Sequence, residues 1–599
     1  MASLNLSRLF QLERVSPDNF IDLRIRNYKH VKKIYMPVSL LITSTIRIQT
    51  LKRTCLLKTL RKLNINTSFL IPLSRNFDKP YGRLFRASCQ TLTDIESDYP
   101  ISYSSKIKLK RVSICRLTRR TIVDLDFYKL RNLSTLLFDF KTFHPSKIKQ
   151  TELEEIVRSY SKVSKPKTLI MKGDVSEIAP LLERIIKMRN RKGFPSLLLH
   201  IKCAEWNIGF AESVNTLAEK IEALSMHPLP TMAHETLNCL SRMTNLRHLA
   251  LEFTLTEWKK SQFYGFTSLE MMDRIQTFKV HLIINIHNPP AEREIFTYLG
   301  FPKNSREIRI SMTQRSFTFQ EGYEDYHHEN YTILFDKIST LQSVETLAIE
   351  FLSQHWGYHS VLTSCFSNFT RKLPTLLSQV KVSIECYFLG GDVSIKLLDI
   401  LQKLSVLDKL RALHLRYNEF REEPGLLIPN IQFQNLEKLN LDIRISGFKN
   451  LDVIIRALNP ATLRSIVINN LYYLSLTNEQ LSRISSKLVN CANLETFYID
   501  NLSHVHDQGE KLDLQELISV ITMLEKIKSF TFDMKLGTDV DENSLRRLKK
   551  IALSKKRLRY FNITLIRGTF PIRKVRIIKT DGSTNIQDEI NFQNSPDYI

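Results

Sequence analysis

Leu410-Arg-Ala-Leu413-His-Leu415-Arg-Tyr-Asn418 has large apolar residues at its first, fourth and sixth positions. The fourth and sixth share one side of an extended chain, and the residues between them point the other way. The same phrase returns as Leu436-Glu-Lys-Leu439-Asn-Leu441, Leu463-Arg-Ser-Ile466-Val-Ile468 and Leu494-Glu-Thr-Phe497-Tyr-Ile499. It returns again as Ile527-Lys-Ser-Phe530-Thr-Phe532 and Leu558-Arg-Tyr-Phe561-Asn-Ile563. Three fixed apolar positions match by chance at roughly 4% of starts, so spacing carries the signal. From 410 the starts advance by 26, 27, 31, 33 and 31 residues.

The series extends backwards to 377, 344, 305, 275, 246, 221, 194, 166, 133 and 109, with a further copy at Leu60. Position 1 is polar or proline in two of them, Ser305 and Pro166. Helical patterns lie between the phrases. Thr477 to Gln480 reads as a capping box ahead of Leu481, Ile484 and Leu488. Asp513 to Glu516 repeats that motif with the acid as cap, ahead of Leu517, Ile521 and Leu524. Leu451, Ile454, Ile455 and Leu458 precede the 463 phrase, and Leu545, Leu548 and Ile551 precede the 558 phrase.

A strand and a helix alternating at this period demand a parallel sheet with helices on one side. Each unit is too small to bury its own apolar face, so neighbours must stack. The expected fold is α/β, a solenoid with a parallel concave sheet and outer helices. Its expected parts are a basic N-terminal cap or divergent repeats (1–108), a solenoid (109–567), and a C-terminal cap with a polar tail (568–599).

These phrases resemble leucine-rich repeats, most closely the long ribonuclease-inhibitor-like type, which implies a horseshoe. In that family an Asn at position 9 bonds backbone in the turn after each strand. Asn418 occupies that place, whereas Arg444, Leu471 and Leu502 stand there in the next three copies. The pattern is therefore divergent.

The chain has 599 residues, with 43% hydrophobic and 25% charged, a globular composition. Its 16 Gly and 20 Pro argue against glycine-rich phosphate loops. No Walker, dinucleotide-binding, nucleophile-elbow or HExxH motif occurs. No enzyme activity, cofactor or metal is expected. Asp325-Tyr-His327-His328-Glu329 reads as an exposed polar loop, and His504-Val-His506-Asp507 as a strand-to-helix loop. Five histidines (200, 227, 248, 281 and 414) fall at inferred concave positions on different strands. Eight scattered cysteines without a C-x-x-C pair fit a reducing compartment, cytoplasmic or nuclear, with organellar import through the first twenty residues as the alternative, and no apolar run is long enough for a spanning helix.

The net charge of +25 is uneven. Residues 1–200 hold 39 Lys+Arg and 16 Asp+Glu, residues 201–550 hold 38 and 41, and the last 49 hold 9 and 4. The densest early cluster is Lys106, Lys108, Lys110, Arg111, Arg116, Arg119 and Arg120. A second block spans Arg546 to Lys550 and Lys555 to Arg559. Positions 3, 5 and 7 of seventeen copies contain eight cations and seven acids, a nearly neutral face. That mixture suits a protein partner better than a nucleic-acid strand laid along it. Arg416, Tyr417, Asp442, Tyr498, Asp500 and Asp533 are the expected partner-binding residues. The expected role is a protein-interaction scaffold or adaptor. Alternatives are a ribonucleoprotein component docked through the basic first third, and a ubiquitin-ligase substrate receptor. The Leu-Pro opening of an F-box is not visible near the N-terminus.

Overall fold

The computed structural model describes residues 217–228, 233–254, 263–284, 289–314, 324–353, 365–386 (except 367), 397–420, 431–445, 448–469, 478–501, 514–535, 542–567, 570–580 and 583–590. Before 217 it describes the strands named below and residues 184, 186–188 and 191. The chain divides into two units, Met1–Glu252 and Phe253–Ile599.

In the first unit the strands are β1 (Ser3–Asn5), β2 (Lys33–Pro37), β3 (Lys62–Asn66), β4 (Asp94–Ser97), β5 (Arg111–Ile114) and β6 (Thr135–Asp139). They continue as β7 (Thr168–Lys172), β8 (Leu198–Lys202) and β9 (Ile221–Met226). β10 (His248–Thr254) follows, and its residues His248–Leu251 pair with β9. Helix α1 (Ala233–Arg242) makes the crossover between β9 and β10. Every pairing from β1 to β10 is parallel. Register places Leu4, Ile34, Leu63, Ile95, Val112, Leu136, Leu169 and Leu199 at one level. Parallel strands therefore run through residues 1–108 and on into β5. Leu199 sits two residues later than the 194 start predicts, and the register shifts again between Leu199 and His200 against β9.

The second unit repeats the scheme with longer strands. These are β11 (Thr277–Ile284), β12 (Glu307–Gln314), β13 (Thr346–Ser353), β14 (Gln379–Cys386) and β15 (Ala412–Phe420). Then come β16 (Lys438–Ile445), β17 (Ser465–Asn469), β18 (Thr496–Asn501), β19 (Ser529–Lys535) and β20 (Tyr560–Arg567). Consecutive strands from β11 to β20 pair in parallel. The helices between them are α2 (Pro289–Tyr298), α3 (Glu324–Ser339), α4 (Leu397–Ser405), α5 (Phe448–Ala457), α6 (Asn478–Val489), α7 (Gln515–Met523) and α8 (Glu542–Ser554). A 3-10 helix, Tyr264–Met271, leads into β11. In this unit strand and helix alternate in an α/β arrangement along an open and mostly parallel sheet.

The apolar triad explains the stacking. Positions 1, 4 and 6 are buried in every copy from β15 to β20, from Leu410, Leu413 and Leu415 to Leu558, Phe561 and Ile563. Phe497, Phe530 and Phe561 occupy the same level on three successive strands, with ring centroids 4.9 and 5.7 Å apart. Helices close the other side with Ile454 and Ile455, Ile484 and Leu488, Leu517 and Ile521, and Leu545 and Leu548. Ser305, the polar residue at an apolar position, is fully buried, and its hydroxyl donates to the Ile275 carbonyl at 3.1 Å. A satisfied hydroxyl carries little penalty there.

A second device fixes each strand start. The position-2 carbonyl of one copy accepts the N–H groups of positions 2 and 3 in the next, at 2.7 to 3.1 Å, from Gln276 through Lys528. An amide reinforces it just ahead of the phrase. Asn245, Asn435, Asn459 and Asn493 donate from Nδ2 to the carbonyls of Glu219, Asp408, Gln434 and Ala461, at 2.6 to 2.8 Å. Ser343 and Thr462 make the corresponding contacts by hydroxyl, to Ser305 and Leu436 at 3.0 and 3.1 Å. These side chains tie turns of neighbouring copies. Lysines add a third tie. Lys337 donates to the Leu299 carbonyl at 3.1 Å, Lys555 to Leu524 at 3.4 Å, and Lys579 to Leu553 and Lys555 at 2.6 and 2.7 Å. Each cation sits where the carbonyls of a preceding helix end gather.

β21 (Phe570–Thr580) turns back antiparallel on β20, and β22 (Ser583–Ile590) pairs antiparallel with β21. β21 lies in the expected C-terminal cap, and part of the expected polar tail is a strand. Asp325 to Glu329 is likewise not a loop: it forms the first turns of α3. α7 begins after Leu514, which makes no side-chain cap; Asp513, Thr477 and the His504–Asp507 segment lie outside the described residues.

The layered core predicts unequal costs along one strand. Leu439→Ala should lose about 2–5 kcal/mol of unfolding free energy, whereas Lys438→Ala, exposed beside it, should change it by less than about 0.5 kcal/mol. Urea unfolding of both variants checks this, and equal losses would contradict it. Asn435→Ala should cost about 0.5–1.5 kcal/mol in the same measurement, because the Asp408 carbonyl loses its donor.

Candidate functional site

The side of the second unit's sheet away from the helices is built from phrase positions 3, 5 and 7. From β11 to β20 these hold five cations (Lys279, Arg309, Lys381, Arg416, Lys438) and five acids (Glu307, Glu350, Asp442, Asp500, Asp533). The structure pairs many of them. Arg416 on β15 and Asp442 on β16 are in register, with Arg416 Nε 3.1 Å from Asp442 Oδ2. Asp442 is the better shielded of the two, at 16% exposure against 48%. Lys381 on β14 reaches Glu350 on β13. Arg309 contacts Glu307 on its own strand.

Between these pairs stands His414, in register with Lys381 on one side and Asn440 on the other. Burial, and then the Lys381 cation, push its imidazole below the ordinary value of 6.5; Asp442 opposes them, Arg416 adds to them, and Glu350 opposes last. The neutral ring is favoured in the folded chain. The other histidines read from the sequence do not join it. His200 meets Glu222 at 2.9 Å, His227 meets Glu252 at 3.4 Å, and His281 meets Thr313 at 3.1 Å, each on its own strand pair. Among the described residues no group of three or more His, Cys, Asp or Glu side chains is placed to hold a metal ion.

Of the expected partner-binding residues, Arg416 and Asp442 are brought together. Tyr498 is half-buried on β18 at position 5, beside Val467 and Thr531. Asp500 and Asp533 are directly paired in register at position 7 of β18 and β19. Tyr417 pairs with Ile384 and Ile443 and so alternates with Arg416, at the strand parity of Leu413 and Leu415. The side chains of Tyr417, Asp500 and Asp533 lie outside the described residues. So do Lys106, Lys108, Lys110, Arg116, Arg119, Arg120 and the side chain of Arg111, whose backbone begins β5.

A tally confined to positions 3, 5 and 7 misses a charge row at position 2, along the edge where the strands begin. Arg306, Glu345, Arg411, Glu437, Arg464, Glu495 and Lys528 alternate in sign, with only Ser378 interrupting. Glu437 lies between Arg411 at 3.7 Å and Arg464 at 3.4 Å, and Lys528 meets Glu495 at 2.6 Å. The Lys528 ammonium holds the Glu495 carboxyl below its ordinary range. A repeat slipped by one place along this row would set like charges together.

Glu329, the acid of the histidine-rich motif, forms a two-pronged pair with Arg293 of α2, at 2.8 and 3.2 Å. Cys239, Cys365 and Cys491 are buried free thiols. Burial pushes Cys365 up to about 12 and Cys491 up to about 11, which suppresses the nucleophilic thiolate. No helix among the described residues is long and apolar enough to cross a membrane. No protein-family model matches the chain, and no curated protein matches it.

The His414 environment sets a pH dependence. A histidine with a depressed folded-state value is neutral in both states above about 6.5; below that the unfolded chain takes the proton more readily. Stability should therefore fall as pH drops from 6.5 through the depressed value. His414→Gln should remove that part of the loss, read as a flatter dependence of urea midpoint on pH; an unchanged slope would contradict it.

Proposed function

We propose that this chain is a divergent leucine-rich-repeat scaffold without catalytic activity, binding a protein partner on the outward face of the β13–β19 strands. The observation that supports the reading most is the Arg416–Asp442 pair, flanked by Lys381 and Glu350, on an otherwise polar sheet with Tyr498 nearby. Charges of both signs at fixed register select a partner by complementarity and penalise mismatched ones. Tyr498 supplies rigid contact area with a polar tip.

Partner recovery tests this reading. Tyr498→Ala and Arg416→Glu should each lower recovery of the principal co-purifying protein at least tenfold, insensitive to nuclease, with unchanged thermal unfolding. Undiminished recovery by both variants would remove the outward sheet face from consideration.

A further inference from the structure

From Asn543 to Thr580 the sequence contains 13 Lys and Arg and no Asp or Glu. This stretch makes α8 beyond its first residue, Glu542, together with β20 and β21; β22, which carries Asp588 and Glu589, pairs with β21 after it. α8 buries Leu545, Leu548 and Ala552 against the sheet, which turns Arg546, Arg547 and Lys550 outward. The turn after it exposes Lys556 and Arg557, and Arg559 is exposed where β20 begins. Arg559 also ends the alternation at position 2: its neighbour in the row is Lys528, a second cation. Along the rest of the position-2 row neighbouring copies match plus with minus, except where Ser378 interrupts it. Here successive copies leave the same sign together.

We infer that this terminal repeat is a docking surface for the phosphodiester backbone of a nucleic-acid strand. Charge of one sign over so many residues needs a densely anionic partner, and a phosphate backbone supplies one at short, regular spacing. A protein–protein contact is depleted of charge at its centre, which this surface is not. A membrane-surface helix presents an apolar face to lipid, whereas α8 spends its apolar face on the core. Among the described residues near it, Met523, Leu553 and Ile586 stand out singly as large apolar side chains, at 58%, 37% and 43% exposure. The helix is 13 residues long, a track of about 20 Å. Because Arg547 also donates to Gln515 at 3.0 Å, and Lys555 and Lys579 already cap helix ends, the freest phosphate contacts fall to Lys550, Lys556 and Arg557. The inference is independent of the proposed protein contact on the sheet face.

The test is binding of a fluorescein-labelled 20-nucleotide oligouridylate to the full chain by anisotropy, between 50 and 200 mM salt. Three reversed contacts should lower the log–log salt slope by about 2. The Lys550→Glu, Lys556→Glu, Arg557→Glu triple variant should therefore bind at least tenfold more weakly at the lower salt. The matched glutamine triple should lie between it and the parent. A control reversal of the exposed Lys303, Lys409 and Lys487 makes the same change in net charge and should weaken binding less than threefold. Equal losses in test and control triples, or an unchanged slope in the test triple, would overturn the inference. So would phosphatidylserine vesicles or polyglutamate binding through these three residues while the oligonucleotide does not. Unfolding midpoints confirm that each variant is folded.

Discussion

No single strand–helix unit of this chain can hide its own apolar residues, and the rest of the structure follows from that limit. Leu413 and Leu415 are buried because Val380 and Val382 lie level on one side and Leu439 and Leu441 on the other. Contact with both neighbours shields each copy, so removing one copy would expose apolar surface on two others. The backbone obeys the same logic. A position-2 carbonyl has no partner inside its own unit and takes two N–H groups from the next. Buried strands with their ladder bonds satisfied only by neighbours make the array cooperative over adjacent copies.

Once stacking is fixed, charge can be placed by position. Position 2 carries an alternating row at the strand starts, and positions 3, 5 and 7 carry cross-strand pairs on the outward face. Individual exposed pairs of this kind contribute about 0.2–1 kcal/mol. Their larger effect is on order, since register errors would align like charges. Lys337, Lys555 and Lys579 show a different use of cations: burial lowers their proton affinity, yet each remains beside helix-end carbonyls that favour the charged form. Basic residues in this chain therefore do at least three jobs, and net charge alone does not distinguish them.

The phrase and its period are legible because Leu, Ile and Phe at positions 1, 4 and 6 do one physical thing in every copy. The parallel sheet, the helices at 448–457, 478–489 and 542–554, and the Arg416–Asp442 opposition all follow from it. Elements that the sequence hides lack that signature. β4 has Ser97 where a sixth apolar residue should be, which conceals it within the gap between 60 and 109. β22 has few apolar residues, so its pairing with β21 leaves no periodic trace. Asn435 and Asn493 tie the turns from just ahead of the phrase, away from the position where the family pattern directs attention. The helix at 324–339 begins with residues whose polarity reads as a loop; His328 and Glu329 are exposed, and Asn330 and Tyr331 are buried.

Neighbouring copies standing side by side in register is the physical statement on which fold, surface and function all rest, and disulfide trapping addresses it directly. Asn440 and Val467 are partners on adjacent parallel strands, and Tyr498 lies one strand further at the same level. A disulfide needs Cα atoms within about 7 Å, which adjacent strands satisfy and strands two apart, at roughly 9–10 Å, do not. Mild oxidation of an Asn440→Cys, Val467→Cys chain should give the 440–467 cross-linked peptide in high yield by mass spectrometry. The Asn440→Cys, Tyr498→Cys chain should give almost none. Equal yields, or cross-linking only in the second chain, would contradict the stacked-repeat arrangement.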